Sequence, residues 1–285
     1  MPVLSVIITT VATSAQGAFK KHLNVKCQKC EFTVSSMITF FALVFFLIFS
    51  NGITFSADFL PYCFIYSICY ACAAVTYVLA LSCGSLALTQ LILSYSCLIP
   101  LTYSLLCGDT LGVFQIIGIV FLLSSLVVTY YRKNKSSDKK AFSIKWLILI
   151  ILMFFANGFC GVIMRMQQLK FNREYDRSFM IFSLILATSI LVTAAIIRER
   201  RDVLKAIKNG APLAAACGAS NGLANYFGLI CLAIIPNAIY YPIKSAGELV
   251  LTSIMSIFIF KEKLRPAQYV GVALGVLALV FINIS

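Results

Sequence analysis

The chain has 285 residues, of which 61% are hydrophobic and only 12% charged. A soluble domain is about 25% charged, so the composition excludes an ordinary soluble protein and makes the bilayer the solvent. The formal charge of +13 would suggest nucleic acid in a soluble chain. Here the cations sit in short loops between apolar runs, where they set orientation and meet anionic lipid head groups, so no nucleic acid is expected as a partner.

A membrane-spanning helix needs about 20 mainly apolar residues. By that measure the first span covers 3–21 and carries Gln16 as a candidate lining residue. Lys20 and Lys21 follow this apolar run instead of preceding it, so it is expected as a retained span and not as a cleaved signal. The loop beyond it holds His22, Cys27 and Cys30. A zinc site normally needs four ligands and no second cysteine pair accompanies these, so no metal and no cofactor is expected. The second span covers 34–54. The third, 61–82, places Tyr66, Tyr70 and Tyr77 at helical spacings, where they could line a cavity or simply pack. The fourth, 85–107, contributes Gln90 and Tyr95, and the fifth covers 112–131. Most of the 11 cysteines, among them Cys63, Cys97, Cys160 and Cys217, fall inside spans as small packing residues with no disulfide framework.

The polar insert Arg132–Lys140 divides the chain into a first unit, 1–131, a basic connection, 132–144, and a second unit, 145–285. The second unit opens with a span over 145–168, which carries Asn157. Arg165 stands near its end, set to attract anions at a mouth or to snorkel to the interface. A span over 178–197 follows. The next, 211–231, carries Asn221 and Asn225 one helical turn apart, with Tyr226 beside them; amides can bind a polar solute or join helices. The ninth span, 237–260, holds Lys244 and Glu248 on one helix face. The tenth covers 267–284.

Charges at membrane depth cost at least about 2.5–3.5 kcal/mol each on insertion scales, and only the ninth span carries them clearly. Lys244 is placed to hold an anionic group and Glu248 to exchange a proton. The competing reading is an internal ion pair, in which each charge serves only to neutralise the other. Pro242 and Gly247 are expected to weaken the helix beside them, as in the broken helices of transporter sites.

When Asp109 is laid on Glu262, Leu111 falls on Leu264, Gln115 on Gln268 and Gly118 on Gly271. This shared string suggests an internal repeat. A unit of five spans has an odd number of crossings, so its second copy enters from the opposite side. The expected fold is therefore all-α and integral to the membrane, with ten transmembrane helices as two inverted five-helix repeats. Lys20, Lys21, Lys26 and Lys29 in loop 1–2 fall on one side. So do the basic connection, Arg198, Arg200, Arg201, Lys205 and Lys208 in loop 7–8, and Lys261, Lys263 and Arg265 in loop 9–10. Only Arg165, Lys170, Arg173 and Arg177 oppose them. The positive-inside rule places the rich side in the cytoplasm and both termini outside, in a multi-pass protein of the cell membrane.

Enzyme signatures are missing: the one His is His22, and no H-E-x-x-H, G-x-S-x-G or P-loop occurs. The repeat ends, above all Pro236-Asn-Ala with Phe260-Lys-Glu262-Lys-Leu264-Arg-Pro-Ala-Gln268-Tyr-Val-Gly271, resemble those of the drug/metabolite transporter superfamily, especially its EamA-like members. The first copy departs from that pattern in having Gly108-Asp109 where Glu is usual. The resemblance implies two bundles rocking around a central cavity, with proton-coupled export of a small polar metabolite or drug-like solute. The alternatives are an exchanger of phosphorylated or nucleotide-linked anions, which Lys244 and Arg165 would suit, and a lipid-handling or structural membrane protein. The expected partners are a small-molecule substrate, membrane lipids and protons. The expected site comprises Lys244, Glu248, Asn221, Asn225, Tyr226, Tyr70, Tyr77, Gln90, Tyr95, Asn157 and Gln16, with Glu248 as the proton-coupling group.

Overall fold

The computed structural model describes residues 2–49, 52–83, 86–108, 112–131, 144–200 and 202–259, with 269–271, 273–274, 277 and 281. Among these the regular structure is helical: α1 (Pro2–Lys26), α2 (Glu31–Phe49), a 3-10 turn (Ala57–Phe59), α3 (Leu60–Cys83), α4 (Leu86–Tyr95), α5 (Leu98–Leu106), α6 (Val113–Tyr131), α7 (Ile144–Lys170), α8 (Asp176–Glu199), α9 (Asp202–Ile234) and α10 (Asn237–Phe258). Six of them, α1, α2, α3, α7, α8 and α9, are long and apolar enough to cross a membrane. The chain is an integral membrane protein of the all-α class. Most of the tenth expected span, most of the basic connection, and the string residues Asp109, Leu111, Glu262, Leu264 and Gln268 lie outside the described residues. Gly118 and Gly271 are both buried, and Ser125 on α6 donates to the Gly271 carbonyl at 2.6 Å.

Three boundaries differ from the sequence expectation. First, α1 runs on to Lys26, because Leu23 is fully buried in a cluster with Cys27, Val34 and Met37. Lys20 is therefore a helical residue and not part of a loop. The hydroxyls of Thr9, Thr10 and Ser14 bond back to carbonyls one turn earlier, at 2.7–2.9 Å, so the polar run in α1 carries its own partners. Second, α9 begins at Asp202, so Lys205 and Lys208 are helical too.

Third, the fourth span is two helices. Pro100 has no N–H to give to the Ser96 carbonyl, and the chain changes register there. Ile99 N donates to Ser96 O at 3.2 Å and Ser96 N to Leu93 O at 3.0 Å, both three-residue bonds, while Ser96 and Cys97 lie between α4 and α5. The expected weakening at Pro242 and Gly247 does not break α10, which continues to Phe258. The interrupted helix is the fourth span, not the ninth.

The packing is set by a few surfaces. α9 lies against both α1 and α2, and α3 lies against both α7 and α8. α2 packs on α8, α10 on α1 and on α4–α5, and α7 on α4 and α5. At the α2–α9 crossing, a Cβ on Gly218 would stand 2.4 Å from Phe41 Cβ and 2.7 Å from the Ile38 carbonyl oxygen. Glycine there lets the two backbones touch, and Gly222 repeats this one turn later against Phe45. Both ends of α8 are tied to α2 or to the segment that follows it. Glu199, at the end of α8, accepts from the Phe32 and Thr33 backbone N–H groups at 2.7 and 2.9 Å and from the Thr33 hydroxyl, capping α2. At the opposite end Thr54 N donates to Ser178 Oγ at 3.0 Å.

Candidate functional site

A cavity of about 200 Å³ opens between α1, α3, α4–α5, α7, α9 and α10. On α1 it is lined by Thr13, Gln16, Gly17 and Lys20, which share one helix face at i, i+3, i+4 and i+7. α3 contributes Tyr66, Tyr70 and Tyr77, so the tyrosine stripe faces inward. Gln90 comes from α4, Ser96 and Cys97 from the helix break, and Asn157 from α7. Asn221 and Asn225 come from α9, and Lys244 and Glu248 from α10.

The charged centre is built across several helices. Gln90 Nε2 donates to a Glu248 carboxylate oxygen at 2.7 Å, and the Tyr77 hydroxyl donates to Gln90 Oε1 at 2.8 Å. The amide is thereby fixed in one orientation, its nitrogen toward the carboxylate. The Lys20 ammonium stands 4.6 Å from the centroid of the Tyr77 ring, a cation–π contact of about 0.5–2 kcal/mol. The Ser14 hydroxyl approaches the Glu248 carbonyl at 3.5 Å, and a Cβ on Gly247 would come 2.7 Å from Thr10 Cγ2, so α1 and α10 meet closely at this depth. Lys244 and Glu248 share a face as expected, yet the polar partner of the carboxylate is Gln90.

A second, neutral network lies beside it. Asn221 Oδ1 accepts from the Tyr70 hydroxyl at 3.1 Å and from Asn225 Nδ2 at 2.8 Å. Asn157 Nδ2 donates to Ser96 Oγ at 2.6 Å, joining α7 to the break in the fourth span. Gln16 Nε2 is buried without a hydrogen-bond partner among the described residues.

Two expected site residues stand elsewhere. Tyr226 packs edge-on against Phe46, at 6.3 Å between ring centroids, with the Arg177 guanidinium 5.9 Å from its own ring. It is one residue from Asn225, about 100° around the helix, and so points off the cavity. Tyr95 ends α4 and is not among the lining residues. Arg165 is buried on α7 and does not line the cavity. The cation missing from the sequence-based site is Lys20. Its signal is the face it shares with Thr13 and Gln16, hidden when Lys20 is counted with the basic residues of loop 1–2.

Residues 144–284 match the EamA-like transporter family. Among solved structures 28 chains match. One, named only "Crystal structure of protein", is similar over 99% of this chain and 98% of its own, at 14% identity and a TM-score of 0.74. At that identity the likeness is one of fold alone. No curated protein matches by sequence.

Proposed function

We propose that this chain, which belongs to the EamA-like transporter family, a family of membrane transporters and not of enzymes, moves a small polar metabolite or drug-like solute by alternating access through the central cavity. The observation that carries this reading is that Lys244 and Glu248 face a cavity walled by both halves of the chain, and not lipid. Two charges at membrane depth are costly, and an accessible cavity between helices is where a transporter would use them.

The packing supports an inverted repeat. With α1 matched to α7, α2 to α8, α3 to α9 and α4–α5 to α10, the contacts recur in mirrored form. α1 on α9 corresponds to α7 on α3, α2 on α9 to α8 on α3, and α1 on α10 to α7 on α4–α5. The helices around the cavity are the same members of each set. Such a pair of halves can rock about a central site and expose it to each side in turn.

In this reading Glu248 is the proton-coupling group. For a neutral or cationic solute that competes with the proton, proton entry would drive export. The test is uptake into proteoliposomes with a metabolite panel, with and without a pH gradient. Glu248→Gln is expected to abolish gradient-driven flux while leaving exchange, and unchanged gradient-driven flux refutes the coupling role. The basic loops are proposed to be cytoplasmic, which places Cys107, exposed after α5, on the outer face. Labelling of Cys107 by an impermeant maleimide on intact cells tests the orientation.

A second reading, exchange of phosphorylated anions, is favoured by Lys20 joining Lys244 in the cavity. Pockets for drug-sized ligands run to about 300–1,000 Å³, so this smaller one suits a small anion better than a nucleotide-linked one.

A further inference from the structure

We infer that the cavity takes a small organic anion between two ammonium groups, Lys20 and Lys244, with Glu248 as a built-in competitor for the same pair. The inference rests on the transporter reading and names its cargo.

The charged residues that line the cavity, among those described, are Lys20, Lys244 and Glu248. With the carboxylate ionised, one positive charge remains in excess. Neither ammonium makes a hydrogen bond or an ion pair among the described residues: Lys20 lies over the Tyr77 ring, and the carboxylate is held by neutral Gln90. Held only by a ring face and by a carboxylate that is committed to Gln90, these ammonium groups are incompletely neutralised and favour an anionic cargo.

The order of the charges follows from the helix directions. Cys27 meets Ala206 and Gln16 meets Cys217, so α9 runs antiparallel to α1. α10 turns back after Pro236 and runs with α1. Ser14 marks the depth of Glu248 on α1. Lys20 lies about 9 Å further along that helix, whereas Lys244 lies about 6 Å back along α10. The carboxylate thus sits between the two ammonium groups, where an anionic cargo would have to displace its influence. Asn157 and Asn225 remain for the hydroxyl or amide groups of the cargo body.

This order fixes the sense of coupling. The titratable groups facing Glu248 are Lys20 from α1, Tyr77 from α3, Cys97 from the helix break, and Lys244 and Tyr240 from its own helix. A proton taken from water by the Glu248 carboxylate removes the competitor and leaves both ammonium groups to the anion. Proton and anion then load together, and a proton gradient drives both in the same direction.

The test uses the full-length purified protein in detergent micelles. Succinate and inorganic phosphate serve as the two anionic probes, with glycerol and ethanolamine as neutral and cationic counterparts. At least one anion is expected to raise the Tm in a saturable way, more strongly at pH 6 than at pH 8. Lys20→Arg should keep the response, whereas Lys20→Ala and Lys244→Ala should each require tenfold or more anion. Glu248→Gln should bind as tightly at pH 8 as the native chain does at pH 6. The proposal is overturned if neither anion gives a saturable shift, if only glycerol or ethanolamine does, or if Lys20→Ala responds within twofold of the native chain. Saturable flux of glycerol or ethanolamine in proteoliposomes would end the anion inference and keep the transporter. Absence of flux for all four solutes together with every other member of a wider metabolite panel would end the transporter reading itself.

Discussion

Gly218 and Gly228 lie on the same helix, yet alanine is expected to have opposite effects at the two. In a helix interior Gly→Ala gains about 0.5–1 kcal/mol from backbone entropy alone. At Gly228 the added Cβ meets only the Tyr240 hydroxyl, at 2.9 Å, the far end of a side chain that can swing by a few tenths of an ångström. The entropy gain should survive there, and Gly228→Ala should be neutral or stabilising. At Gly218 the same Cβ lands 2.4 Å from Phe41 Cβ and 2.7 Å from the Ile38 carbonyl oxygen, atoms fixed to the α2 backbone. Carbon atoms pack best at about 3.5–4.0 Å, so α2 and α9 must part by roughly 1 Å, and a gap of that size forfeits up to about half of each nearby contact. Overpacking of this kind costs about 1–3 kcal/mol, which exceeds the entropy gain. Thermal unfolding of both variants in detergent micelles measures the difference. A Gly218→Ala protein that melts at or above the native temperature would refute the close-approach argument.

Pro100→Ala supplies the N–H that proline cannot give to the Ser96 carbonyl, which now accepts from Ile99 N instead. It should join α4 to α5, raise the Tm and lower transport severalfold; a variant with native flux would deny the break a role. Glu199→Ala removes the carboxylate that caps α2 from α8, and chemical denaturation should register a loss of about 1–2 kcal/mol. Cys30 is buried and its thiol is pushed up to about 11 by desolvation first, then by Glu199 and Asp202. A raised thiol holds little thiolate at pH 8, so maleimide labelling of a chain with Cys30 as its only cysteine should be slow at pH 8 and accelerate toward pH 10; equal rates at both would contradict this. Tyr226→Phe should leave transport within twofold, since its ring packs on Phe46 away from the cavity.

Much of the site could be read from spacing. The i, i+4 steps of Asn221 with Asn225 and of Lys244 with Glu248, and the stripe from Tyr66 to Tyr77, place side chains on one face whatever surrounds the helix. Partners across helices could not be read in this way. Gln90 reaches Glu248 only because α4 packs on α10, and no local pattern joins residues so far apart in the chain. Lys20 was misplaced because a cation after an apolar run ordinarily marks the membrane edge. Leu23, packed beyond it, extends the helix instead. Pro100 and Pro242 look alike as residues within apolar spans, yet the chain parts into α4 and α5 beside the first and α10 runs on through the second.

The two ties between α2 and α8 have a mechanical consequence. Neither helix touches the cavity, and α8 is buttoned at one end to the start of α2 and at the other to Thr54 in the segment that follows α2, each time through a side-chain oxygen on a backbone amide. They form a frame that resists shear, so the moving parts lie inside it. A covalent staple between these two helices should therefore leave the cycle running, whereas one between α1 and α10 should jam it.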